Sequence, residues 1–163
     1  MTLEYKQILV AIDGSKEAEW AFKKSIEIAK RNKGVLNLIH VVDTRSYTAM
    51  TKHIPDLDDA IFADGKRILE AYKEEAQAAG LSEVNIFVVP GLPKKVIAHD
   101  YANKLDTDLI ICGAQGLNAF QKFVMGSVSQ HIVSNSPCDV LVVRRDLDMI
   151  NEETDNGAQT EGM

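Results

Sequence analysis

The chain has 163 residues, 45% apolar and 26% charged, the balance of one globular domain that can bury a core without staples. No apolar run approaches the roughly 20 residues of a membrane-spanning helix, and residues 1–6 lack the long apolar segment of a secretion signal. Acids outnumber bases 24 to 18, for a net charge of −6, yet Asp146, Asp148, Glu152, Glu153, Asp155 and Glu161 stand beyond residue 145 with no base among them, so residues 1–145 carry 18 of each; a neutral domain with an acidic tail argues against nucleic acid as the main partner, since phosphate binding wants a basic face.

Five short apolar runs punctuate the chain: residues 8–12 (ILVAI), 35–42 (VLNLIHVV), 84–89 (VNIFVV), 108–112 (DLIIC) and 139–143 (DVLVV). They are β-branched and nearly unbroken instead of alternating, as strands buried on both faces are. Helical spacing fills the gaps. Residues 15–33 place Ala18, Ala21, Phe22, Ile26 and Ala29 on one stripe. Asp13 and Ser15 are capping candidates at its start, and Gly34 follows Lys30, Arg31 and Lys33 at its end. Residues 57–79 carry Leu57, Ala60, Ile61, Ile68, Leu69, Tyr72 and Ala76, stopped by Gly80. Pro93 suits a first helical position, with Val96, Ile97, Tyr101 and Leu105 continuing that stripe. A last helix over 127–135 turns Val128 and Ile132 inward and stops before Ser136-Pro137.

The alternation predicts an α/β domain with a parallel sheet covered on both faces, over residues 1–145. Residues 44–56 read as a surface insertion after the second strand. Residues 146–163 read as a disordered acidic tail. Cys112 and Cys138 have neither metal nor redox spacing and read as small apolar residues of a reduced, cytoplasmic protein. His40, His53, His99 and His131 show no ligand spacing and read as surface or core histidines.

Residues 112–134 carry the most chemistry. The chain leaves a buried strand at Gly113, turns through Gly116 and opens a helix at Gly126-Ser127. Glycines let backbone approach a ligand, and a helix start offers free N–H groups and a positive dipole end to a phosphate. Ser127 can cap that helix. Two blander readings stand beside this one: three glycines at turns, and Asp13 as a helix cap.

The spacing Gly113, Gly116, Gly126, Ser127, continued by Val128-Ser129-Gln130, resembles the nucleotide-binding pattern of the universal stress protein family. The opening ILVAIDGS and the closing SPCDVLVV look like that family's first and last strands, and the resemblance spans residues 4–145. It implies a doubly wound five-stranded sheet of order 3-2-1-4-5, with an adenine nucleotide at the switch point beyond strands one and four. It further implies that Ala11, Asp13 and Ser15 line the crevice, Asp13 toward the nucleotide or a magnesium ion bound to it, and that Val41 meets adenine. Gly113 and Gly116 then underlie ribose and the first phosphates, and Gly126, Ser127 and Val128 cradle the outer ones. The ligand expected is ATP, with ADP and AMP as alternatives. Gln115 departs from the family, where many relatives carry Arg or His; Lys122 is the nearest replacement cation.

No Gly-Lys-Ser/Thr phosphate loop, dinucleotide fingerprint, Gly-x-Ser-x-Gly elbow or Cys/His nucleophile pair is present. The expectation is therefore a binding module or switch and not a turnover enzyme, with a slow metal-dependent ATPase and a nucleotide-free interaction protein as the rivals. The fifth strand, an apolar edge unbroken by Pro or Gly, is expected to pair with a second copy in a homodimer.

Overall fold

The computed structural model describes residues 3–45, 56–115 and 125–144. Within them the chain runs β1 (Gln7–Ala11), α1 (Lys16–Asn32), β2 (Val35–Asp43), α2 (Leu57–Ala78), β3 (Val84–Gly91), a helix α3 over residues 93–104, β4 (Leu109–Gly113), α4 (Ser127–Asn135) and β5 (Asp139–Val143). Most of the expected insertion, the loop holding Gly116 and Lys122, and the acidic tail lie outside the described residues. All paired strands are parallel, in the expected order β3-β2-β1-β4-β5.

Alternate side chains on each strand face opposite layers. Ile8, Val10, Leu36, Leu38 and Ile111 pack with Ala21, Phe22 and Ile26 of α1 and Leu69 of α2. Leu9, Ile39, Ile110 and Cys112 pack with Val96, Ile97 and Ala98 of α3 and Ile132 of α4. Ile8, Leu9 and Val10 on the central strand are wholly buried, each contributing about 1.5–3 kcal/mol of transfer free energy. That two-sided burial is why the strands read as continuous apolar runs.

Local differences from expectation have physical causes. The left-handed residue closing α1 is Lys33 (φ 51°) and not Gly34; glycine is needed at 34 because a Cβ there would lie 2.7 Å from the Tyr5 carbonyl oxygen. α2 ends as expected on Gly80 (φ 109°), with the Leu81 N–H reaching back to the Ala76 carbonyl. α3 starts at Pro93 but widens to π-helical turns over Val96–Tyr101, which nothing in the local pattern announces. β3 continues through Pro90, paired with Val42; a proline is tolerated there because β3 is an edge.

The N-terminal end of the sheet is closed by its own side chains. The Asp108 carboxylate accepts the Lys6 N–H at 2.8 Å and the Gln7 N–H at 3.1 Å. Buried Asn37 donates to Gln7 Oε1 at 3.1 Å and accepts from Asn85 Nδ2 at 3.0 Å. The Tyr5 hydroxyl donates to Asp139 at 2.8 Å, and that bond to a carboxylate raises the phenol's pKa.

Candidate functional site

β1 leads into α1 on one face of the sheet, and β4 leads toward α4 on the other. The connections of these neighbouring strands therefore leave in opposite directions, which makes their C-terminal ends the switch point beyond which ligands of such sheets bind. Ala11 and Val41 belong to the face covered by α3 and α4. α4 starts over that same face, so the structure brings Ala11, Val41 and the Gly126–Val128 segment to one side.

At the end of β1, Asp13-Gly14-Ser15 forms a tight turn. The exposed Asp13 carboxylate accepts the Ser15 N–H at 2.9 Å, and Gly14 takes the left-handed conformation at φ 85°, which favours glycine. Ser15 then caps α1, its hydroxyl oxygen accepting the Ala18 N–H at 3.1 Å. The capping reading of this segment is thus realised: Ser15 is the cap and Asp13 orders it. One Asp13 oxygen is committed to that turn. Among the described residues no group of three or more His, Cys, Asp or Glu side chains is gathered to hold a metal.

The two described glycines of the spaced set have different reasons. A Cβ at Gly113 would lie 2.6 Å from Glu17 Cβ and 2.9 Å from the Glu17 carbonyl carbon. Glycine is required there because the first turn of α1 rests on β4, on the face opposite Ala11 and Val41. The expected role under ribose gives no account of that requirement. At Gly126 a Cβ would meet Ala114 O at 3.5 Å, Gln115 Cα at 3.6 Å and Ser129 Oγ at 3.6 Å, all ordinary contacts, and φ is −66°. Neither packing nor backbone among the described residues requires glycine at 126.

The cap of α4 also differs from the expected one. Gly126, not Ser127, is the N-cap of α4, and Ser127 is its first helical residue. A glycine cap has no side chain to accept the helix N–H groups. Those of Ser127, Val128 and Ser129 meet no acceptor among the described residues, whereas Gln130 N–H already bonds the Gly126 carbonyl. Two residues that spacing alone did not single out hold this start in place. Ala114 O accepts the Gly126 N–H and the buried Ser129 hydroxyl, each at 2.8 Å. Ala114 N–H in turn bonds the Val143 carbonyl at 2.8 Å. Ser129 could have been suspected as a polar residue on the inward stripe of α4. Cys112, just behind on β4, is a buried thiol pushed up to about 12 by burial and then by the nearby Asp13 charge, so it is inert as a nucleophile.

A shallow hollow of about 540 Å³ lies at the opposite end, lined by Tyr5, Arg31, Asn32 and Asp139 among others. Tyr5 there is bonded to Asn32 and Asp139, and none of the expected site residues borders it.

The sequence profile of the Universal stress protein family matches residues 4–144. A Staphylococcus saprophyticus protein named for that family is 46% identical over 147 residues, covering 87% of this chain and 85% of its own. One from Staphylococcus haemolyticus is 43% identical over 142 residues, covering 87% and 86%. Among solved structures, the universal stress protein UspA from Lactobacillus plantarum superposes with a TM-score of 0.74 at 30% identity, over 88% of this chain and 100% of that one. The fold is shared by a universal stress protein in complex with cAMP (TM-score 0.65, 24% identity, 86% and 98% covered). It is shared too by the Archaeoglobus fulgidus universal stress protein in complex with dAMP (TM-score 0.62, 22% identity, 87% and 100% covered).

Proposed function

Because the chain belongs to the universal stress protein family through residues 4–144, we propose that it binds an adenine nucleotide, ATP first among them, as a stress-response module that is switched by its ligand and does not turn it over. The observation that carries this reading is the start of α4: a glycine cap that packing does not require, ahead of three N–H groups with no acceptor among the described residues. Such a start suits phosphate oxygens. Val41 and Ala11, on the same face, offer an apolar bed for a purine. The cAMP and dAMP complexes of two proteins with this fold support adenine as the base.

In this reading Gly126, Ser127 and Val128 hold phosphates through main-chain N–H groups, and Asp13 and Ser15 border the crevice from β1. Gly116 lies outside the described residues. A magnesium ion would arrive on the nucleotide's own phosphates, with Asp13 contributing at most its uncommitted oxygen. In this reading the protein works in the reducing cytoplasm, where Cys112 and Cys138 stay free thiols. Its second partner is another copy of itself, paired antiparallel along β5, whose Val140, Leu141 and Val142 are only half-buried in one chain.

Calorimetric titration with ATP tests the reading. The unmodified protein is expected to bind one nucleotide per chain, and Gly126→Val, which puts a branched side chain where phosphate must approach, is expected to abolish binding with the fold retained. Unchanged binding in that variant would refute the site, and ATP consumption abolished by Asp13→Ala would favour an enzyme. Sedimentation at micromolar concentration tests the dimer, which Val142→Pro should weaken by removing a ladder donor.

A further inference from the structure

His40 has no part in the site as described so far. On β2 it lies between Ile39 and Val41, but it faces the other layer, toward α2. Its Nδ1 stands 2.8 Å from the main-chain oxygen of Ile12. A carbonyl oxygen can only accept, so Nδ1 carries the proton and donates. Ile12 is the residue between the end of β1 and the Asp13-Gly14-Ser15 turn. Its N–H is held by the Ile39 carbonyl at 2.8 Å, so both of its main-chain polar groups are tied to neighbouring residues of β2, one through backbone and one through the imidazole.

A second, independent observation concerns α2. Gly65 sits in the interior of this 22-residue helix and is buried, where glycine is disfavoured by about 1 kcal/mol relative to alanine. A Cβ there would lie 3.1 Å from His40 Cδ2 and 3.0 Å from Val88 Cγ1, tighter than ordinary contact. The missing side chain at 65 is thus the room that lets α2 lie over the His40 ring.

We propose that His40 is a positioning residue of the nucleotide crevice. By donating to the Ile12 carbonyl it fixes the end of β1 and, one residue on, the Asp13–Ser15 turn, and Gly65 supplies the space the ring needs. The proposal rests on the nucleotide-binding reading and deepens it. Without the donor, the Ile12 carbonyl loses its imidazole partner, and the residue before the turn is tied to β2 only through its N–H to the Ile39 carbonyl. The Asp13 carboxylate would then hold the Ser15 N–H less well.

The test uses the full chain with two substitutions at one position. His40→Leu keeps apolar bulk but removes the donor. His40→Asn keeps a donor, since the amide Nδ2 occupies nearly the place of the ring Nδ1. ATP affinity is measured by calorimetry, and amide hydrogen exchange at Ser15 is measured without nucleotide. His40→Leu is expected to weaken ATP about tenfold, the scale of one lost hydrogen bond, and to speed exchange at Ser15. His40→Asn should recover most of both, and Gly65→Ala should shift both in the direction of His40→Leu. Unchanged affinity and exchange in His40→Leu would overturn the proposal, as would equal impairment in Leu and Asn, which would mark His40 as bulk only. If His40→Leu fails to fold, His40→Asn and Gly65→Ala decide: unchanged Ser15 exchange in Gly65→Ala, or a loss of affinity in His40→Asn as large as tenfold, overturns it. If the unmodified protein binds no ATP, the nucleotide reading falls, and the Ser15 exchange of His40→Leu still decides the anchoring role.

Discussion

The two ends of the sheet are built from the same strands yet finished in opposite ways. At the N-terminal end the polar groups answer one another: Asp108 takes the amides of Lys6 and Gln7, Asn37 bridges Gln7 and Asn85, and Tyr5 reaches Asp139. At the C-terminal end, the α4 N–H groups of Ser127, Val128 and Ser129 meet no acceptor among the described residues, and the cap that could have taken one of them is a glycine. A side chain that satisfies its neighbours contributes to stability but leaves nothing for a ligand. Main-chain donors left free at a helix start contribute no stability and are available for recognition. In the proposed reading the closed end carries stability and the open end binding, and substitutions should separate the two.

The largest effect is expected where the packing of α1 on β4 is disturbed. Gly113→Ala forces a Cβ against Glu17, main chain included, and should cost about 1–3 kcal/mol, read as a lowered denaturant midpoint. Little change in midpoint would mean that α1 does not rest on β4 as described. At the closed end, Asp108→Ala strips an acceptor from two main-chain N–H groups and should cost about 1–2 kcal/mol, with ATP affinity unchanged. A large loss of affinity there would erase the division between the ends.

Gly126→Ser should act in the reverse sense. A serine N-cap accepts one of the helix N–H groups, which stabilises α4 by about a few tenths of a kcal/mol relative to glycine and withdraws that donor from phosphate. A raised melting temperature with weakened ATP binding is the expected pair of results. Stronger binding would show that the free donors are not what holds the ligand.

The smallest effect is on pH dependence, and each end has its own reporter. Burial pushes the Cys112 thiol up to about 12 near the crevice, and burial followed by the charges of Asp108 and Asp139 pushes Cys138 up to about 11 at the closed end. The folded chain thus holds both protons above the ordinary value of 9.0. Their contribution to stability is whole below pH 9 and is lost as pH rises through 11 and 12. Compared with a Cys112→Ser, Cys138→Ser double variant, the unmodified protein should lose melting temperature more steeply above pH 9. A thiol reagent at pH 8 should leave Cys112 untouched in the folded state; rapid labelling would mean that β4 is not buried there.

Much of this architecture was legible in local pattern. Runs such as ILVAI and DVLVV announce strands buried on two faces. Gly80 announces a helix stop and Pro93 a helix start, because their backbone preferences act within a turn or two. Ser15 as the cap of α1 was legible for the same reason. Which glycine serves which purpose was not. Gly113 and Gly126 look alike in a spaced motif, and only the approach of Glu17 to one of them, from nearly a hundred positions earlier in the chain, tells a packing glycine from a free one. Ala114 with Ser129, Gly34 beneath the Tyr5 carbonyl, and Gly65 over His40 were decided in the same way. Local propensity sets which elements form, since it depends on neighbours in sequence. The space beside a residue depends on what the rest of the chain brings there, so the division of labour between the two ends of the sheet arises only on folding.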